Sequence, residues 1–295
     1  MSLWSNYILA QSLEEAIGAL GERPGQACPV AGGTDLLLEL QQGHHAPVHT
    51  LVDVTRIPEL AKLEVRGDHL FIGASVPVRE ITNSPLVLEH AMAVSEAAGL
   101  IGGPQVRNTA TLGGNVAHAL PAADGMIGLI ALGAQVDIAS AAGTRSEPML
   151  KLFLGPGKSA LQADREVLVG FRVPLRRPGQ ASAFSRVMRP QGVALPILNA
   201  AVWIEREGDT ITGCRIAVGP SGPVPVRATA IEELVIGREL DEDLLDRMRE
   251  AIPDAFRFRS SAQRAGADYR YQLCEVLLKE VIKTAWQRAE MVKVS

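Results

Sequence analysis

The segment Gln105-Val106-Arg107-Asn108-Thr109-Ala110-Thr111-Leu112-Gly113-Gly114-Asn115 carries almost no apolar pattern and ends in two glycines flanked by short polar donors. A second glycine pair lies upstream, in Val30-Ala31-Gly32-Gly33-Thr34-Asp35-Leu36. That pair follows an apolar run that reads as a strand and precedes a helical pattern. Glycine permits positive φ and close approach by a ligand. Successive backbone N–H groups in such a turn form an anion nest, to which Thr34 can add a hydroxyl donor. Neither loop has the GxGxxG spacing of a dinucleotide-binding βαβ unit, and each alone reads as a turn. Together they can hold one long diphosphate cofactor from both sides. Asp124, nine residues past Asn115, can accept hydrogen bonds from a ribose hydroxyl.

Working outward, Ser12 and Glu15 form a capping box ahead of Leu13, Ala16, Ile17 and Leu20 at helical spacing. Strands are expected at residues 27–30 and 51–54, a helix at 35–42, and a hairpin around Gly67-Asp68. This is the start of an α/β layer. Residues 86–98 read as one helix, 100–115 as irregular, and 124–132 as a helix that Asp124 can cap. Strands follow at 135–139, around Arg145, and at 166–173. The basic stretch Arg176-Arg177-Pro178-Gly179-Gln180 marks a domain boundary. Beyond it, residues 184–188, 199–205 and 213–218 read as an antiparallel sheet. Helices are expected at 228–235, 240–252 and 261–289, the last with a broad apolar stripe.

The chain has 295 residues, with 47% hydrophobic, 21% charged and only 4% aromatic residues, so a globular protein with an aliphatic core is expected. Its 29 basic and 33 acidic residues argue against a dedicated nucleic-acid binder. Cys28, Cys214 and Cys274 are far apart and form no CxxC pair, so a metal cluster held by this chain alone is not expected. The sparse cysteines fit a reducing compartment. No apolar run reaches the length of a membrane span, and the first residues lack a signal-peptide pattern. A cytoplasmic location is therefore expected.

In this order, the motifs resemble those of the FAD-binding medium subunit of the molybdenum hydroxylases, the xanthine dehydrogenase and carbon monoxide dehydrogenase type. Ala31 to Leu36 is similar to the family's first FAD loop. Ile101-Gly102, Gln105, Arg107-Asn108 and Thr111 to Asn115 resemble its second, with Asp124 at the family's spacing. Glu166-Val167-Leu168 with Arg172-Val173-Pro174, and Arg264 to Arg270, resemble later motifs. The resemblance implies an α+β protein. An FAD-binding domain at 1–175, with subdomains at about 1–58 and 59–175, would have the two-subdomain fold of the vanillyl-alcohol oxidase type. A C-terminal α+β domain would occupy 180–295.

It further implies FAD contacts at Val30, Ala31, Gly32, Gly33, Thr34, Asp35, Leu36, Ile101, Gly102, Ala110, Thr111, Gly113, Gly114, Asn115, Ala117, Asp124 and Leu168. Asp124 would hold the adenosine ribose side, Leu168 would pack near the adenine, and Ile101 and Gly102 would lie towards the isoalloxazine. No catalytic residue and no metal ligand is assigned to this chain. The molybdenum cofactor would sit on a large partner subunit and two [2Fe–2S] clusters on a small ferredoxin-like one, in a dimer of heterotrimers. Electrons would leave the FAD to NAD⁺, a quinone or O₂. Gly155-Pro156-Gly157-Lys158 leans mildly towards the purine-oxidising members. The chain departs from relatives that have Lys where it has Ser185, and Asp where it has Val193. Whether Ser185 or Arg186 contacts the flavin stays open. The alternatives are a stand-alone flavin oxidoreductase and an assembly module that has lost FAD.

Three further features stand outside this pattern. Gly157-Lys158-Ser159 imitates the end of a P-loop but lacks its first glycine, the position being Leu152. His44, His45 and His49 read as a solvated loop. His118, just past the second glycine loop, can approach a cofactor, and its role is open.

Overall fold

The structure, a computed structural model, describes residues 3–189, 195–261 and 264–290. Val193 lies outside the described residues.

The first layer is β1 (Asn6–Leu9), α1 (Leu13–Glu22), β2 (Ala27–Val30), α2 (Leu36–Gln42) and β3 (Thr50–Asp53). It forms a parallel sheet of order β1-β3-β2. The Ser12 hydroxyl accepts from the Glu15 N–H at 3.1 Å, and the Glu15 carboxylate accepts from the Gln11 N–H at 2.7 Å. The capping box thus reaches back one residue beyond the cap. Strand β1 gives no sequence signal because Tyr7 and Leu9 are half-exposed, so it lacks an inside–outside alternation.

The second layer is β4 (Leu63–Arg66), β5 (His69–Gly73), helices α3 (Val78–Asn83), α4 (Pro85–His90), α5 (Met92–Leu100), α6 (Pro104–Arg107), α7 (Leu112–Ala117) and α8 (Asp124–Ala131), then β6 (Gln135–Ser140), β7 (Gly143–Pro148), β8 (Phe153–Gly155), β9 (Lys158–Ser159) and β10 (Glu166–Pro174). Its main sheet is antiparallel, of order β4-β5-β10-β6-β7. The single helix expected at 86–98 is two helices. Pro85 starts α4 behind a Ser84 cap, and Ala91 leaves helical geometry at φ −139° before α5. Residues 100–115 are not irregular throughout, since α6 and part of α7 lie there. Lys158 and Ser159 stand in a two-stranded hairpin rather than at the start of a helix.

The third layer is β11 (Gln180–Met188), β12 (Pro196–Glu207), β13 (Thr210–Gly219), β14 (Val226–Arg227), α9 (Thr229–Val235), α10 (Glu242–Ala255) and α11 (Ala267–Glu290). Its antiparallel sheet is buried on both faces, and side chains alternate between two cores. Ala183, Ala200, Val202, Ile216 and Val218 join the core under α9, α10 and α11. Phe184, Ala201 and Ala217 join the core of the first two layers, where the sheet packs on α5 and α8. Alanines on that face let the helices approach. Helix α8 is buried along its whole length, Asp124 to Ala131, as a helix between layers must be. No described helix is long and apolar enough to cross a membrane.

Candidate cofactor-binding site

Between β2 and α2, Gly33 adopts φ +64°, a left-handed turn that a side chain would strain. The N–H groups of Gly32, Gly33, Thr34 and Asp35 find no acceptor among the described residues. Four neighbouring free donors on one turn suit an anion.

The second loop is built around Thr111, whose hydroxyl caps α7 by accepting from the Gly114 N–H at 3.0 Å. Gly113 donates to the Ala74 carbonyl at 3.0 Å, and Ala74 donates to Val169 of β10 at 2.9 Å. The loop is thereby tied to the β10 bulge beside Leu168, which is itself buried. Arg107 bonds the carbonyls of Ile101 and Gly102 at 3.3 and 2.7 Å, fixing the turn at Gly102, where φ is +56°. Ala110 is buried, while Gly114 and Ala117 are exposed along α7.

The two loops touch. A β-carbon on Gly32 would lie 2.1 Å from the Thr109 carbonyl oxygen. A second tie comes from His118, whose Nε2 is 2.8 Å from Glu39 Oε1 on α2, with Asp35 3.8 Å from its Nδ1. His118 therefore bridges the helices that follow the two loops.

Below the second loop lies a polar cluster. Asp124 does not cap α8; Ala123 holds the cap position without a side-chain bond. Instead Asp124 is buried, pairs with the Arg186 guanidinium and accepts from Asn199 Nδ2 at 2.7 Å. Burial pushes its carboxyl above the ordinary range, against the pull of Arg186 and Asn199. Asn199 also donates to the Ala122 carbonyl at 3.1 Å. Gly125 lets the cluster meet the loop: a β-carbon there would lie 2.9 Å from Asn115 Oδ1 and 3.6 Å from Ile101 Cδ1.

Asn115 Oδ1, Arg186 Nε and Asn199 Oδ1 are buried with no hydrogen-bond partner among the described residues. Unsatisfied buried polar atoms are costly, and three of them around one carboxylate fit a polar ligand. With the free N–H groups of the first loop, the residues present fit a diphosphate-linked cofactor. Sequence reasoning is silent on Asn199. Its only signal is one amide inside the apolar run Ile197-Leu198-Asn199-Ala200-Ala201.

A profile described as the FAD binding domain in molybdopterin dehydrogenase matches residues 3–176. The chain belongs to this FAD-binding family. A second profile, the CO dehydrogenase flavoprotein C-terminal domain, matches residues 182–285 of the same family member. It is 30% identical to the carbon monoxide dehydrogenase medium chain of Hydrogenophaga pseudoflava, over 96% of this chain and 97% of that one. It is 29% identical to the xanthine dehydrogenase FAD-binding subunit of Escherichia coli O157:H7, over 96% of each. Among solved structures, Hydrogenophaga pseudoflava carbon monoxide dehydrogenase superposes with a TM-score of 0.90 at 30% identity, covering 96% of this chain and 98% of that one. Quinoline 2-oxidoreductase of Pseudomonas putida 86 gives 0.88 at 28%, covering 97% and 98%. In this FAD-binding family member a further cavity lies elsewhere, at the junction of the second and third layers.

Proposed function

We propose that this chain is the FAD-carrying electron-transfer subunit of a heteromeric molybdenum hydroxylase. A large subunit holds the molybdenum cofactor and a small one holds two [2Fe–2S] clusters, in a dimer of heterotrimers. The contact of Gly32 with Thr109, which joins both loops into one wall, is the observation that carries the reading. A bound flavin would supply the redox chemistry, electron transfer between the small subunit and an acceptor such as NAD⁺, a quinone or O₂. This chain's residues bind and orient. Gly32 to Asp35 offer N–H donors to the diphosphate, and Thr111 holds the second loop in shape. Asn115 and Asp124 face the ribose side, Leu168 the adenine, and Ile101 with Gly102 the isoalloxazine. Arg186 and Asn199, from the C-terminal unit, fix the Asp124 carboxylate. We read residues 1–175 as the FAD-binding domain, divided near 58, and 180–295 as a second domain.

The test is reconstitution with FAD followed by gel filtration. Retained visible flavin absorbance of about one equivalent supports the reading, and its absence overturns it. Isolation of the native assembly is expected to bring a molybdopterin-binding chain and an iron–sulfur chain with it. A lone chain oxidising substrate by itself is the outcome for a stand-alone oxidoreductase.

A further inference from the structure

The cavity at the junction of the second and third layers has a volume of about 640 Å³, a size suited to a small-molecule ligand. The FAD reading does not use it. One wall comes from α4, α5 and the end of α8, the other from β11, β12 and β13, and the 174–177 connection closes the side. Met92, Leu132, Leu175 and Trp203 give it an apolar surface.

Three arginines line this half-open cleft, Arg176 and Arg215 partly buried and Arg177 exposed at its rim. Arg215 lies over the Trp203 ring with its guanidinium carbon 3.6 Å from the centroid, and among the described residues its hydrogen bonds go to the carbonyls of Ala131 and Leu132, at 2.9 and 3.3 Å. Among the described residues Arg176 hydrogen-bonds the carbonyls of Gln180 and Arg288, at 2.6 and 3.4 Å. The Arg177 side chain has no partner among the described residues. Burial lowers Arg215 to about 10, so it remains a cation at neutral pH. Among the described residues no carboxylate makes a direct ion pair with these three, although Glu89 acts on Arg176, and Glu232 and Glu205 on Arg215, at longer range. Asp68 and Glu89 stand at the mouth, with side chains 96% and 67% exposed. Glu205 is held by Gln180 Nε2 at 2.6 Å, and Arg288 is already matched by Glu96 at 2.5 Å. His90, also on the lining, has a buried Nδ1 with no partner among the described residues.

We propose that this cleft is a second binding site, for a small organic anion that carries a carboxylate or phosphate on an apolar body. Guanidinium groups left with carbonyl partners keep donors free for an oxyanion. The Met92, Leu132 and Trp203 surface takes the apolar part. A ligand there touches both domains at once and steadies their junction.

The experiment is calorimetric titration of the FAD-loaded chain, its glycine loops filled, with four probes: phenyl phosphate, benzoate, inorganic phosphate and benzyl alcohol. Tighter binding of phenyl phosphate or benzoate than of the other two, by about tenfold or more, supports the site, and the stronger of the pair tells which oxyanion it prefers. Equal binding of benzyl alcohol, equal binding of inorganic phosphate, or no binding of any probe overturns it. Arg177→Gln and Arg176→Gln together are expected to weaken that binding by about tenfold at unchanged flavin absorbance. Unchanged affinity in this variant also overturns the proposal. Loss of flavin would instead count against the FAD reading, so the two can fail separately.

Discussion

At the scale of single residues, the four loop glycines do different work. Gly32 and Gly113 lack side chains because carbonyl oxygens, of Thr109 and Ala74, occupy that space at 2.1 and 2.5 Å. Gly33 is needed for its backbone angle. Gly114 is exposed, and a β-carbon there would meet only the Thr111 hydroxyl at 3.3 Å. Gly114→Val is therefore expected to leave a folded chain while lowering FAD affinity by about tenfold or more, read as flavin retained after gel filtration. Gly32→Ala is expected to lower both flavin content and melting temperature. A pH effect belongs to this scale too. Burial opposes ionisation of Glu166, but the Arg145 bond at 2.6 Å and the Gln162 N–H at 2.9 Å outweigh it and hold the carboxyl below the ordinary range. A lowered folded value means stability that is present above the unfolded pKa of about 4.3 and lost as pH falls through the folded one. Glu166→Gln is expected to cost about 1 kcal/mol at neutral pH, and denaturant melts should show that cost vanish in acid.

At the scale of elements, local chemistry explains what was legible in the sequence. Ser12 and the hairpin at Gly67-Asp68 punctuate the chain where the structure does. Alternating strands beyond residue 180 were equally readable. What escaped was contextual. Edge strand β1 is held by pairing with β3 rather than by pattern. The break at Ala91 carries no Gly or Pro of its own, and α5 beyond it packs against α3 and β11. The role of Asp124 depends on Arg186 and Asn199, more than 60 residues away. Both glycine loops could be read from sequence, whereas the polar cluster beneath them could not. Helix α10 offers a simple check. Its Asp241 cap accepts from the Leu244 N–H at 2.8 Å, so Asp241→Ala should cost about 1 kcal/mol in a denaturant melt.

Across the whole molecule, stability and function meet at the seam between layers. Glu96 on α5 accepts from the Phe184 N–H at 2.8 Å and from Arg288 at 2.5 Å, tying one helix to both the third sheet and α11. Ser182 Oγ accepts from the Ala93 N–H at 3.1 Å beside it. Glu96→Gln keeps the shape but weakens the charge-assisted bond. It is expected to cost about 1–3 kcal/mol and to lower FAD affinity, because Arg186 and Asn199, which hold Asp124, lie on the sheet that this seam anchors. Thermal melts with and without FAD check both effects.

The contact of Gly32 with Thr109 has a thermodynamic consequence. Most of the conformational entropy of assembling the two loops is spent when the chain folds, before any dinucleotide arrives. Cofactor capture is then close to rigid docking and lacks the heat-capacity signature of coupled folding. Calorimetry of flavin-free protein should give a heat-capacity change that tracks only the ligand surface covered. Amide hydrogens beneath both loops should already exchange slowly in the empty chain.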